Sequence, residues 1–291
     1  MKLFLALFLL MSISIFAQTN DTYTIFDGKG NPQTPEQIVE RIGKSDVVFL
    51  GENHDDSVAH ALQMQIFKAV FDKYSKQRKV ALSMEMFERD VQTILNEYLS
   101  GLISETHFLS SSRPWGNYKT DYRPLVEFAK ENKLEVIAAN APRRYVNMVT
   151  RTGRDSLKRL SPEAKNWLAP LPYGEPSEKY SAKFSALMGQ TPDPVAKQSP
   201  TSMIYSQALW DATMAYSIAE SLKKNKNELI VHLNGGFHTE NRLGTVEHLL
   251  KYRPNTKVLV VTMRYEDDFK TFDKAKHTDL GDFVILTEPK K

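Results

Sequence analysis

The 291-residue chain contains no cysteine. That absence excludes a disulfide framework, Cys-ligated zinc, a thiol nucleophile and lipid attachment through a Cys. Charge of one sign is also missing, since 38 basic residues face 35 acidic ones for a net charge of +3. Nucleic-acid binding needs a concentrated basic surface, so no nucleic-acid partner is expected. Three signatures are absent as well: a Gly-x-Ser-x-Gly elbow, His-Glu-x-x-His and a phosphate-binding glycine loop. The one long apolar stretch is MKLFLALFLLMSISIFAQ at the start. Its early Lys2, apolar middle and Phe16-Ala17-Gln18 read as a secretory signal peptide over residues 1–18. The run is shorter than the roughly 20 residues that span a bilayer, and no other segment approaches transmembrane length. The expectation is an exported protein, periplasmic or secreted, whose charge falls to +2 when Lys2 leaves. Without cysteines such a protein relies on its core, and about 270 mature residues can bury a large one.

What the chain does have is a series of short continuous apolar runs of the kind found in strands buried on both faces: Val47–Leu50, Val80–Met84, Glu135–Ala139, Leu229–Leu233 and Lys257–Met263. Helical patterns separate most of them. Thr34-Pro35-Glu36-Gln37 is a helix start, and apolar residues recur at helical spacing in Ser57–Lys76, Val91–Leu99, Tyr122–Glu131 and Thr245–Leu250. This alternation predicts an α/β fold: a mostly parallel central sheet flanked by helices. Residues 19–291 read as a single domain. Between about 141 and 200 the pattern gives way to a proline-rich stretch including Pro170, Pro172, Pro176, Pro192, Pro194 and Pro200. It is too long for a simple connection, and we read it as a helical and irregular insertion capping one end of the sheet.

Ligands of open parallel sheets bind beyond the carboxyl ends of the strands. The first expected strand delivers Gly51-Glu52-Asn53-His54; the second, Glu85 with Arg89 a turn later; the third, Asn140 then Pro142 and Arg143. The fourth delivers Asn234-Gly235-Gly236-Phe237-His238, and the fifth Arg264. Each group has an ordinary explanation, as a turn residue or a helix-terminal acid. Their coincidence at one edge favours a functional site. In the helix over 203–222, Gln207 and Asp211 fall within the apolar sector of Met203, Ile204, Ala208, Trp210, Met214, Ala215, Ile218 and Leu222. Buried polar groups require partners, so this helix is expected to aim Gln207 and Asp211 at the site or at backbone beside it. His232 reads as a core histidine, and His60, His107, His248 and His277 have no recognisable partner spacing.

The chain resembles the ChaN-like haem-binding uptake family of the Tiki superfamily, whose broader relatives include the TraB, Tiki and erythromycin-esterase groups. The resemblance runs over roughly residues 25–265. It rests on Gly51-Glu52-Asn53-His54, Glu85-Met86-Phe87-Glu88-Arg89, and the segment from Trp115 through Tyr122-Arg123-Pro124-Leu125 to Asn140-Ala141-Pro142-Arg143. It continues in Gln207-Ala208-Leu209-Trp210-Asp211 and Gly235-Gly236-Phe237-His238. It implies an exported haem-binding protein tied to iron acquisition. By family analogy it also implies a homodimer sharing haem and an outer-membrane uptake receptor as partner. Many members are lipoproteins, for which this chain lacks the Cys.

Two mechanisms are compatible with these residues. Haem needs an apolar slot, an axial ligand and cations for its propionates. Trp115, Tyr118, Tyr122, Met203 and Met214 are candidates for the slot, with Asn140, Gln207 and Asp211 nearby. Arg89, Arg143 and Arg264 are candidates for the propionates. The axial ligand is a Tyr, as the family suggests, or His54 or His238. The alternative, implied by the wider superfamily, is a metal-dependent hydrolase. Its His54, Glu85 and His238 would hold a divalent ion such as Mn, Co or Zn, with Glu52 or Glu85 as general base and Arg143 stabilising negative charge. A binding module that keeps these residues only to fix its loops is a third option.

Overall fold

Strand residues in this chain alternate between two apolar clusters, one on each face of a single sheet. Val48, Leu50, Leu82, Met84, Val231 and Val261 belong to one cluster, and Val47, Phe49, Ala81, Ile230 and Val260 to the other. This two-sided burial explains why the strands read as continuous apolar runs rather than as alternating ones. The computed structural model describes residues 21–189 and 200–289; the signal peptide expected at 1–18 and the prolines at 192 and 194 lie outside the described residues.

The elements in chain order are β1 (Tyr23–Asp27), α1 (Pro35–Ile42), β2 (Val47–Glu52), α2 (Ser57–Tyr74), β3 (Lys79–Glu88), α3 (Gln92–Leu99), α4 (Glu105–Ser112), α5 (Arg123–Glu131) and β4 (Glu135–Asn140). There follow α6 (Arg143–Thr152), α7 (Pro162–Lys165), α8 (Glu178–Gly189), α9 (Pro200–Lys224), β5 (Glu228–Gly235), α10 (Thr245–Tyr252), β6 (Val258–Tyr265), α11 (Lys274–His277) and β7 (Phe283–Thr287). The seven-stranded sheet has the order β1-β7-β6-β2-β5-β3-β4, and only the β1–β7 pairing is antiparallel. All five expected strands are present. Two more, β1 and β7, extend one edge of the sheet.

Helix starts follow the expected local chemistry. Thr34 caps α1 in a reciprocal capping box with Gln37, with Pro35 in the first turn. The last residue of GENHDD, Asp56, caps α2 by accepting from the Val58 and Ala59 amides, and its other oxygen accepts from the Thr287 hydroxyl at 2.6 Å. The motif is thus a strand end and a helix start separated by His54. α1, α2 and α5 cover one face of the sheet. The long α9 covers the other, packing Met214, Ala215, Ile218 and Leu222 on Phe49, Ile230 and Val260. The insertion over 141–200 is helical and irregular among its described residues, with α6, α7 and α8 in it.

Several strands run further than the apolar signal. β2 ends at Glu52, β4 at Asn140 and β5 at Gly235, so these polar residues are the last of their strands rather than the first beyond them. β3 reaches Glu88 because its pairing with β4 shifts register between Met84 and Glu88. Such an irregularity re-aims the side chains at a strand end.

Candidate functional site

Parallel pairing sets Gly51 beside Asn234 and Glu52 beside Gly235, so the two Gly-x-x-His stretches leave adjacent strands side by side. Each glycine makes room for the other stretch. A methyl on Gly51 would lie 3.0 Å from the Gly236 Cα, and one on Gly235 would lie 2.7 Å from His54 Nε2. Glycine is required here for close approach. Glu85, on β3 at the other side of β5, accepts from the Gly235 amide at 2.7 Å and fixes that loop.

Glu52 is buried, and four donors surround it. Its Oε1 accepts from the Tyr122 hydroxyl at 2.5 Å and lies 2.9 Å from His54 Nδ1. Its Oε2 accepts from Gln63 Nε2 at 2.6 Å and lies 3.3 Å from His60 Nε2. Burial pushes the carboxyl pKa up, but the His54, His60 and Tyr122 contacts outweigh it and hold the group below its ordinary value. An ionised carboxylate only accepts, so His54 carries a proton on Nδ1. That leaves Nε2 of this half-exposed ring without a hydrogen-bond partner among the described residues. Burial draws the His54 pKa down, while the bond to Glu52 and the field of Glu85 raise it by more. His60 in turn sits between Glu52 and Asp121, 3.3 Å from each.

His238 is held differently. Its Nδ1 is 2.8 Å from Asp211 Oδ1, and its Nε2 is 3.7 Å from Glu85 Oε1. Asp211 is fully buried and also accepts from the Thr245 hydroxyl at 2.7 Å and from the Tyr180 hydroxyl. Burial opposes a charged His238, but Asp211 and Glu85 prevail and push its pKa up to about 9. The raised pKa favours the imidazolium form of His238 at neutral pH.

These groups form the floor of a cavity of about 620 Å³, a size typical of small-molecule sites. Of the residues singled out in the sequence, Glu52, His54, Glu85, Trp115, Asn140, Arg143, Gln207 and His238 line it. Arg143 is exposed and pairs with no acid among the described residues. Val146, Asn147, Thr150 and Leu187 of the insertion line the same cavity.

Other expected residues lie elsewhere. Tyr118 is core, packed against Phe87 and Phe108, and Met214 is buried between α9 and the sheet. Tyr122 is buried behind the site and reaches it through Glu52; Asp211 likewise acts through His238. Arg89 turns away to a second cavity, where Ser217 holds it. Arg264 lines a smaller neighbouring cavity of about 290 Å³ beside Lys183 and Glu240. None of the described residues lining the cavity that holds His54 and His238 is a tyrosine. His54, Glu85 and His238, the ligand set expected for a bare divalent ion, all line the cavity, but no group of three or more His, Asp or Glu among the described residues is placed to hold a metal.

Sequence reasoning missed Trp210, Phe237 and Glu88 in the cavity wall and His60, Gln63 and Tyr180 behind it. Trp210 lies one turn from Gln207 on the same sector. His60 and Gln63 are polar residues one turn apart on the buried face of α2, the same signal that singled out Gln207 and Asp211.

The sequence profile of the family described as haem-binding uptake, Tiki superfamily, ChaN matches residues 38–249. The fold is similar to that of ChaN of Campylobacter jejuni, in a structure described as cofacial heme binding: TM-score 0.69, 18% identity, covering 93% of this chain and 98% of that one. It is similar also to an open-conformation mutant of the erythromycin esterase EreC, with TM-score 0.50 and 12% identity over 92% of this chain and 83% of that one. The Arabidopsis thaliana protein RETICULATA-RELATED 5, chloroplastic, is 23% identical over 263 residues, 86% of this chain and 35% of the relative. The chain therefore spans about a third of that relative's length. No helix among the described residues is long and apolar enough to cross a membrane.

Proposed function

The chain belongs to the ChaN family of haem-binding uptake proteins in the Tiki superfamily, and on that premise we propose that it binds haem in the cavity at the carboxyl edge of its sheet, with His54 as the axial ligand. The observation that carries this reading is the state of His54. Its Nδ1 is engaged by a buried carboxylate, while Nε2 is unbonded and the ring lines the cavity. Histidines that ligate a metal donate their second ring nitrogen to a carboxylate in this way, which fixes the tautomer and raises basicity.

The remaining residues suit the group. Trp115 meets the His54 ring edge-on at 4.8 Å, and Trp210, Phe237, Ala141 and Val146 add apolar wall for a porphyrin. Arg143, unpaired at the rim, suits a propionate. Haem held here would supply an iron centre, for which His54 Nε2 would be the nitrogen donor. The protein's part is to orient that nitrogen through Glu52, to hold Glu52 through Tyr122, Gln63 and His60, and to exclude water with its aromatic walls. His238 Nδ1 is likewise held by a carboxylate, Asp211, but this ring is buried with Nε2 3.7 Å from Glu85 Oε1, whereas the His54 ring is open to the cavity. The role of His238 in this reading is to fix the second glycine loop.

We assign the protein, by its family, to haem or iron uptake outside the cytoplasm, with residues 1–18 as its export signal and residues 19–291 as one domain whose insertion covers the site. Titrating hemin into the protein tests the binding reading. Saturable growth of a Soret band is expected, with quenching of tryptophan fluorescence because Trp115 and Trp210 line the cavity. Absence of saturable binding would contradict it.

A further inference from the structure

The carboxyl end of β3 divides its side chains between two cavities. Glu85 and Glu88 line the cavity described above, whereas Arg89, the next residue, lines a second one of about 670 Å³. This second cavity lies among the edge strand β4, the second half of α9 and the segment 165–171. Arg89 donates from Nη1 to the Ser217 hydroxyl at 2.6 Å, and from Nη2 to the Asn166 carbonyl at a long 3.4 Å. Its Nε is buried with no partner, and its guanidinium lies 5.5 Å from the Tyr216 ring centre. No acidic side chain among the described residues is within ion-pair distance of it. Partial withdrawal of this guanidinium from water, offset only by the more distant charge of Glu220, is costly, and a bound anion lowers that cost.

The rest of the cavity specifies the kind of anion. Lys165 and Lys224 add positive charge. The two lining acids have cations of their own, Glu135 with Lys79 at 2.5 Å and Glu220 with Lys223 at 3.9 Å. Ile137, Trp167, Leu168 and Leu171 contribute an apolar part of the wall, alongside the polar Gln92, Asn96, Asn166 and Ser221. A peptide strand is not accommodated along the β4 edge. There the Gln92 side chain donates to the Val136 carbonyl at 2.8 Å and accepts from the Ala138 amide at 2.7 Å, occupying a ladder position. One guanidinium beside a partly apolar wall matches a single carboxylate on an apolar body.

We propose that this second cavity is a binding site for a small amphipathic monocarboxylate, with the carboxylate on Arg89 and the apolar body against Trp167 and Ile137. The site is separate from the haem cavity and rests on no part of the haem reading. Calorimetric titration of the full chain with octanoate, octanol and inorganic phosphate tests it. Octanoate binds saturably, octanol does not, and phosphate binds more weakly than octanoate. Arg89→Gln weakens octanoate by about tenfold or more, the effect of losing a hydrogen bond to a charged group, and leaves hemin binding unchanged. Lys224→Glu, a change at an exposed position, weakens octanoate by a few-fold. Phosphate binding as tight as octanoate, no saturable octanoate binding, or unchanged octanoate affinity in both variants would overturn the proposal.

Discussion

Replacing Asp211 with Asn keeps the shape of the most buried carboxylate in the site and removes its charge. In the native protein Asp211 and Glu85 raise His238 from an ordinary 6.5 to about 9 against the pull of burial. At about 1.4 kcal/mol per pKa unit, the charged His238 contributes on the order of 3 kcal/mol of stability. A folded pKa above the unfolded one makes this contribution complete below about pH 6.5 and lost as pH climbs to about 9. The wild type should therefore lose stability across that window. Asp211→Asn should be destabilised by about 3 kcal/mol near pH 6, in line with breaking a buried pair, and by much less near pH 10. Urea unfolding of both proteins across this range measures the difference, and NMR titration of the His238 ring protons reports its pKa directly. The same pH slope in both proteins, or His238 titrating near 6.5 in the wild type, would refute the reasoning.

Two glycines give further tests. Gly235→Ala places a methyl 2.7 Å from His54 Nε2, and the ring can yield only by giving up its bond to Glu52; stability should fall by about 1 kcal/mol or more while hemin affinity falls at least several-fold, read by Soret titration. Gly244→Ala puts a side chain at φ +56°, 2.6 Å from the His238 carbonyl and 2.9 Å from Asp211 Oδ1. With backbone and a fully held carboxylate as neighbours, thermal unfolding should show a loss of about 2 kcal/mol or more.

The parallel core of the fold was legible because strands buried on both faces need an apolar residue at every position, and Val47–Leu50 or Leu229–Leu233 satisfy that. β7, Phe283–Thr287, carries the same signal and was readable too. β1, Tyr23–Asp27, was harder: an edge strand with only Ile25 and Phe26 buried leaves little pattern in five residues. For the site, proximity of His54 and His238 followed from parallel strands ending at one edge. Their different states did not. Which His faces Glu52 and which faces Asp211 depends on the sheet order that sets β2 beside β5 and on the packing of α9 and α10, neither of which a motif encodes. Arg89 shows the same limit, since a register shift between β3 and β4 accompanies the end of the strand and Arg89 faces the second cavity.

We propose that the two glycine-histidine stretches build one haem site in which His54 supplies the axial nitrogen. The decisive measurement is the visible spectrum of the ferric complex of His54→Ala, recorded beside the wild type with and without added imidazole. The expected result is a Soret band that shifts or disappears in the variant and returns toward the wild-type position when imidazole is added. An unchanged wild-type spectrum in His54→Ala would contradict it.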